Sequence, residues 1–392
     1  MRKKVHKKIS HKKSSNLFVK ILFFVLIIAA VIGLGYLAKS KIQTDFSAKE
    51  KQQIEEVVNL AMEKYNVPGI NVAIWIPGKG TYIKGFGFAD KETKLAMDPS
   101  MSFRIGSLTK TFTSTILLQL QDEGKINLDD TLDKYITEPA IPNVRTITLR
   151  QIANMTSGIY NYTEDESFIS KQKQNPKRQW TEQELVNFTI KHPPYFAPGE
   201  GYHYSNTNYV LLGMVIEKIT GNHLETEMQN RILVPLKLTQ TFYATNSTMP
   251  SNSNRGYSLS EDGKTYIDVT NDNPSLSAGA GAIVSDISDL KRWAQELGKG
   301  TLVSSKAQKE RLTWVDEPDT TTSKYGLGIM KIGNFIGHEG SIYGYNSIIA
   351  YLPSKDAVFV IEQNTFPGQA AGIAGNIFAI LAKIVLPNDV SW

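Results

Sequence analysis

Ile21 to Ala38 is a run of 18 uncharged, mostly apolar residues, and it constrains everything after it. A stretch of that length can span a bilayer, so the rest of the chain folds on one side of it. Leu17, Phe18 and Val19 extend the run, and Lys20 can snorkel at its edge. Eight Lys or Arg precede it and only Lys39 and Lys41 follow closely. The positive-inside bias then sets the N-terminus in the cytosol and the body outside. A cleaved signal peptide is the competing reading, but its apolar region is shorter and ends in a small-x-small site, for which only Gly33-Leu34-Gly35 stands here. A buried core helix is the third. The expectation is a single-pass anchor in the cell membrane: basic cytoplasmic tail 1–16, transmembrane helix 17–38, linker 39–46 and an extracellular domain over 47–386.

The net charge of +5 is unevenly placed. Residues 1–44 hold ten of the 43 basic residues and no acid, leaving 33 basic against 38 acidic residues beyond, about −5. A mildly acidic body is a poor polyanion binder, so nucleic acid is excluded as a partner. The chain has no cysteine, which removes disulfide scaffolds, thiolate metal sites and thiol nucleophiles.

In the body, Ser47 with Glu50 forms a capping box ahead of Ile54, Val57, Val58, Ala61, Met62 and Tyr65, an apolar stripe ended by Pro68-Gly69. Strand-like runs Ile70 to Ile76 and Thr81 to Phe88 flank Pro77-Gly78-Lys79-Gly80 as a hairpin. Further strand-like runs lie at Gly326 to Ile332, Asn346 to Tyr351 and Ala357 to Glu362, before a last helix over about Ala370 to Ile384. The stretch from roughly 107 to 300 is mostly helical and loop-rich, with Asn161 to Trp180 expected as a surface excursion. The predicted fold is α/β in the α+β sense: a central antiparallel sheet flanked by N- and C-terminal helices, with an inserted, mostly helical lobe. Any site would sit between sheet and lobe.

Three short segments could carry chemistry. In Gly106-Ser107-Leu108-Thr109-Lys110 an extended stretch runs into a long helix, so Ser107 sits at the helix start, where the dipole favours alkoxide and its N–H is free to bind an oxyanion. Lys110 is one turn along, and Phe112, Ile116, Leu117 and Leu120 make that helix apolar, so burial would lower the lysine pKa toward that of a base. Ser-x-x-Lys alone is weak, since it recurs at Ser10, Ser170 and Ser288. Tyr204-Ser205-Asn206 precedes a helix closed by Gly221; a tyrosine relays a proton where neighbouring cations depress its pKa, although a simple helix cap reads equally well. His338-Glu339-Gly340 opens the turn before the strand at Asn346, where Gly340 permits close backbone approach, although a lone histidine is more often structural.

Together, and in this order, the three segments resemble the motifs Ser-x-x-Lys, Tyr-x-Asn and Lys or His-x-Gly of the serine β-lactamase-like and penicillin-binding family. Thr148 to Gly158, Ala197 to Gly221 and Ser277 to Asp289 are also similar to it, so the resemblance spans about residues 47–386. It implies an acyl-enzyme mechanism with Ser107 as nucleophile, Lys110 and Tyr204 exchanging protons, and Asn206 holding substrate or Lys110. It further implies an oxyanion hole from the N–H groups of Ser107 and Ser341, electrostatic help from His338, and neither cofactor nor metal.

Where family members that bind a substrate carboxylate carry Thr or Ser, this chain has Glu339, which would repel a carboxylate and attract an ammonium. The preferred expectation is a D-alanyl esterase acting on teichoic acid, ahead of a D-Ala-D-Ala carboxypeptidase on peptidoglycan stem peptides and a β-lactamase. A non-catalytic envelope sensor is the reading from another class. Lys331-Ile332-Gly333 is a rival third motif without a family-like tail, and the histidines show no zinc-ligand spacing.

Overall fold

The computed structural model describes residues 45–137, 140–260, 264–318, 323–366 and 372–392. The expected anchor, tail and linker up to residue 44 lie outside these. No helix among the described residues is long and apolar enough to cross a membrane. Residues 46–77 and 81–392 form one compact unit, and the site lies in it.

Helix α1, Ala48–Tyr65, starts at the Ser47/Glu50 capping box and buries Ile54, Val58 and Ala61. Its end is set two residues before the expected Pro68-Gly69, by Asn66 in the left-handed conformation. Strands β1 (Gly69–Ile76), β2 (Gly80–Asp90) and β3 (Leu95–Ala96) follow. The inserted region supplies helices α2 (Thr109–Asp122), α3 (Asn206–Thr220) and α4 (Ile287–Lys299). The chain then returns through β4 (Val315–Asp316), β5 (Ser323–Tyr325), β6 (Met330–Ile332), β7 (Phe335–Ile342), β8 (Tyr345–Leu352) and β9 (Ala357–Gln363), and ends in α5 (Ile373–Val385).

These strands make one nine-stranded sheet in the order β3-β2-β1-β9-β8-β7-β6-β5-β4. The last long strand is therefore zipped to the first: β1 pairs antiparallel with β9, Ile70 opposite Gln363 and Trp75 opposite Val358. The centre of the sheet is covered on both faces, so β1, β8 and β9 are buried at every position and read as largely apolar runs rather than alternating ones. On one face Ile348, Phe359 and Ile361 pack with Ile54 and Val58 of α1 and Ile377, Phe378 and Leu381 of α5. On the other, Ile336, Ile349, Val358 and Val360 join Leu108, Phe112, Ile116 and the apolar side chains of α3 and α4 in the larger core.

The sequence-based expectation departs from the structure at the third motif. His338-Glu339-Gly340 lies inside the eight-residue strand β7, and the turn comes later, at Tyr343-Gly344. Two glycines, a histidine and a glutamate give β7 no strand-like pattern of its own; seven paired positions with β8 impose it. The reverse error falls at Gly326 to Ile332, where only Met330–Ile332 is strand.

Candidate active site

The first motif is set by a close approach between backbones. Gly106 opens a 3-10 turn, Gly106–Leu108, ahead of α2 and has φ +52°, a conformation favouring glycine. A Cβ there would stand 2.8 Å from the main chain of Ser341 on β7. At Gly340 a Cβ would stand 2.0 Å from the Ile105 carbonyl oxygen. Ser347 on β8 donates its hydroxyl to that same carbonyl at 3.1 Å. The turn is thereby pressed onto β7, and of residues 101–118 only Ser107 is not buried. The other described Ser-x-x-Lys serines, Ser170 and Ser288, are exposed on helix surfaces.

Lys110 has no exposed surface, and its Nζ lies 3.0 Å from Ser107 Oγ, 2.7 Å from Asn206 Oδ1 and 3.0 Å from the Ala280 carbonyl oxygen. Burial alone pushes the lysine far below its usual pKa, which favours a neutral amine. Such an amine has two N–H groups and one lone pair. The Asn206 and Ala280 oxygens can only accept, so they take both N–H groups, and the lone pair faces the Ser107 hydroxyl, which donates to it. This is the arrangement a base requires.

Tyr204 completes the group. The Lys110 Nζ lies 4.8 Å from its ring centroid. Contrary to the expectation of a phenol depressed by cations, burial pushes the Tyr204 phenol up; its hydrogen bond with Ser107 works the other way, and Glu317 and Glu339 push it further up. Raised in this way, the phenol stays protonated and is a donor.

His338 differs from its expected part. It is 1% exposed, with Nε2 accepting from the Tyr325 hydroxyl at 2.9 Å and Nδ1 donating to the Glu339 carbonyl. Burial, with Lys110 alongside, pushes it down to about 3, so it offers no positive charge at neutral pH. Its ring lies 6.3 Å from that of Tyr204 and 5.6 Å from that of Tyr325. Glu339 projects from the opposite face of β7 to His338 and Gly340; its Oε1 stands where a Cβ on Gly375, in the first turn of α5, would have to go. Burial and the nearby Glu317 raise its carboxyl to about 7. Ser341 lies against Gly106, and β6 pairs only with Phe335–Gly337, so β6 does not cover the edge of β7 beside the Ser107 turn.

Several neighbours escaped the sequence reading. Tyr325 and Glu317 come from the β4–β5 region, and Glu317 shares a hydrogen bond with Tyr202. Asn161 and Thr163, assigned to a surface excursion, reach Asn206. Met155, at φ +65°, accepts the Ser205 N–H on its sulfur at 3.4 Å and the His203 N–H on its carbonyl at 3.1 Å. Only long-range contacts mark Tyr325, Glu317, Asn161 and Thr163; Met155, Tyr202 and Ala280 fell in stretches that resembled the family, with no role read for them.

Residues 54–382 match the Beta-lactamase family over that whole span. The chain belongs to the beta-lactamase family. Among curated relatives in this family, Protein flp of Staphylococcus aureus (strain MRSA252) is 26% identical over 322 residues, 80% of this chain and 63% of that protein. The chain thus spans just under two thirds of the length of that relative. Among solved structures, a D-stereospecific amidohydrolase from Streptomyces sp. superposes with a TM-score of 0.76 at 34% identity, covering 85% of this chain and 99% of that one. The D-amino acid amidase from Ochrobactrum anthropi SV3 complexed with D-phenylalanine gives 0.76 at 26%, covering 86% and 99%.

Proposed function

We propose that the protein is a membrane-anchored serine hydrolase that works through an acyl-enzyme on Ser107 and takes D-alanyl groups of the cell envelope, with D-alanyl esters of teichoic acid preferred. The observation carrying the mechanism is the buried Lys110 amine 3.0 Å from Ser107 Oγ. Lys110 accepts the Ser107 proton as Oγ attacks the acyl carbon. The oxyanion is taken by the N–H groups of Ser107 and Ser341, donors of a kind worth ~3–4 kcal/mol each in the transition state. Tyr204 gives its proton to the departing alkoxide and is reprotonated from Lys110. In deacylation water attacks, its proton returning through the same pair, and Ser107 is restored.

Two features support a D-aminoacyl donor with a free ammonium. The solved structures superposing on this chain include a D-stereospecific amidohydrolase and a D-amino acid amidase. Of the carboxyls acting on Tyr204, Glu339 faces α5 from the far face of β7, which leaves Glu317, bonded to Tyr202, as the one whose ionised form favours a cationic group over a free carboxylate. A D-Ala-D-Ala stem peptide ends in that disfavoured carboxylate.

Product analysis tests the reading: purified protein should release alanine from D-alanylated lipoteichoic acid faster than it trims a D-Ala-D-Ala peptide. The reverse order would make it a carboxypeptidase. No turnover and no covalent label would favour the sensor.

A further inference from the structure

Asn206 is held at three points. Its main-chain N–H donates to Asn161 Oδ1 at 3.1 Å, its Oδ1 faces Lys110 Nζ at 2.7 Å, and its Nδ2 donates to Thr163 Oγ1 at 3.3 Å. Thr163 stands half-buried on the 3-10 turn Tyr162–Glu164, outside every motif. The Asn161 amide is committed elsewhere: its Oδ1 takes the Asn206 main chain and its Nδ2 donates to Glu164 at 2.9 Å. Thr163 is therefore the group that holds the far end of the Asn206 side chain.

That end matters at Lys110. While Oδ1 faces the amine, both lysine N–H groups are occupied and the lone pair points to Ser107. With the amide rotated, Nδ2–H would meet the lone pair instead, the amine could only donate toward Ser107, and the protonated lysine would lose an acceptor. Lys110 selects which end of the amide it meets; a hydroxyl at the other end resists rotation away from it. We propose that Thr163 is a positioning residue: by anchoring Nδ2 of Asn206 it holds Oδ1 on Lys110 and so aims the lysine lone pair at Ser107 Oγ. The proposal rests on the acyl-enzyme reading above. Thr163 reaches the Lys110–Ser107 pair through Asn206.

The test is a double-mutant cycle on the full chain, reading the rate of covalent labelling by a fluorophosphonate, separated into its binding and reaction constants. Thr163→Val should slow the reaction step ~10-fold with binding unchanged, and Thr163→Ser should recover most of the rate. In an Asn206→Ala background the valine substitution should have no further effect. Equal rates for wild type and Thr163→Val, or the same loss with Asn206 already removed, would overturn the proposal. If the valine variant fails to fold, Thr163→Ala carries the comparison, with the serine variant as the control. A wild type that takes no label at all fails differently: the acyl-enzyme reading falls, and this proposal falls with it.

Discussion

At the residue scale, the centre of the site is a lysine with no exposed surface. Burial disfavours its cation, so in the proposed mechanism Lys110 serves as a base only above its lowered pKa, and activity should fall on the acid side as the amine takes up a proton. Lys110→Arg keeps a cation at every accessible pH and cannot accept the Ser107 proton. Acylation should drop ~10³-fold or more without recovery at high pH, as measured by stopped-flow pH profiles. His338 and Glu339 leave opposite marks on stability. The His338 pKa falls from 6.5 to about 3 on folding, so the unfolded chain binds its proton first as pH drops. The stability it contributes is complete above 6.5 and is lost toward about 3. Glu339 goes from 4.5 up to about 7, so its carboxyl costs stability as pH rises between those values. Denaturant titrations across pH should therefore show a shallower acid-side loss in His338→Gln and a smaller decline between pH 5 and 7 in Glu339→Gln. Slopes unchanged from wild type would contradict both assignments.

At the element scale, β7 does most to build the site. It meets the Ser107 turn at Gly340, where the Ile105 carbonyl leaves no room for a methyl group. Gly340→Ala should push the strand away from Gly106, separate the Ser341 N–H from Ser107, and cut labelling by a factor on the order of 10² while lowering Tm. Retained labelling in that variant would mean that the contact between β7 and the turn is dispensable. The same strand shows where sequence reading runs out. Helices α1 and α5 were legible from their 3.6-residue stripes, and β1, β8 and β9 from their apolar runs. The sequence FIGHEGSI has no such pattern, because its glycines answer to carbonyls on other segments, His338 to Tyr325 and Glu339 to the first turn of α5.

At the scale of the whole molecule, a sheet closed by both ends of the chain with a helical insertion was legible, because the terminal elements carry strong local signals. The motif residues were legible as a set and not singly: Lys110 finds its partners 96 and 170 residues away. Thr163, Glu317 and Tyr325 belong to that set in space, but no local pattern announces them, so their contacts appear only once the chain is folded. The apolar run at 21–38 makes a separate prediction: the full chain should sediment with membranes until detergent is added, and a chain starting at residue 45 should not. Recovery of the full chain in the soluble fraction would remove the anchor while leaving the hydrolase reading intact.

The most direct test of the central claim is peptide mapping by mass spectrometry after fluorophosphonate treatment. A single adduct on the peptide containing Ser107, absent in Ser107→Ala and strongly reduced in Lys110→Met, is the expected result. An adduct on another residue, or one formed equally well without the lysine, would contradict it.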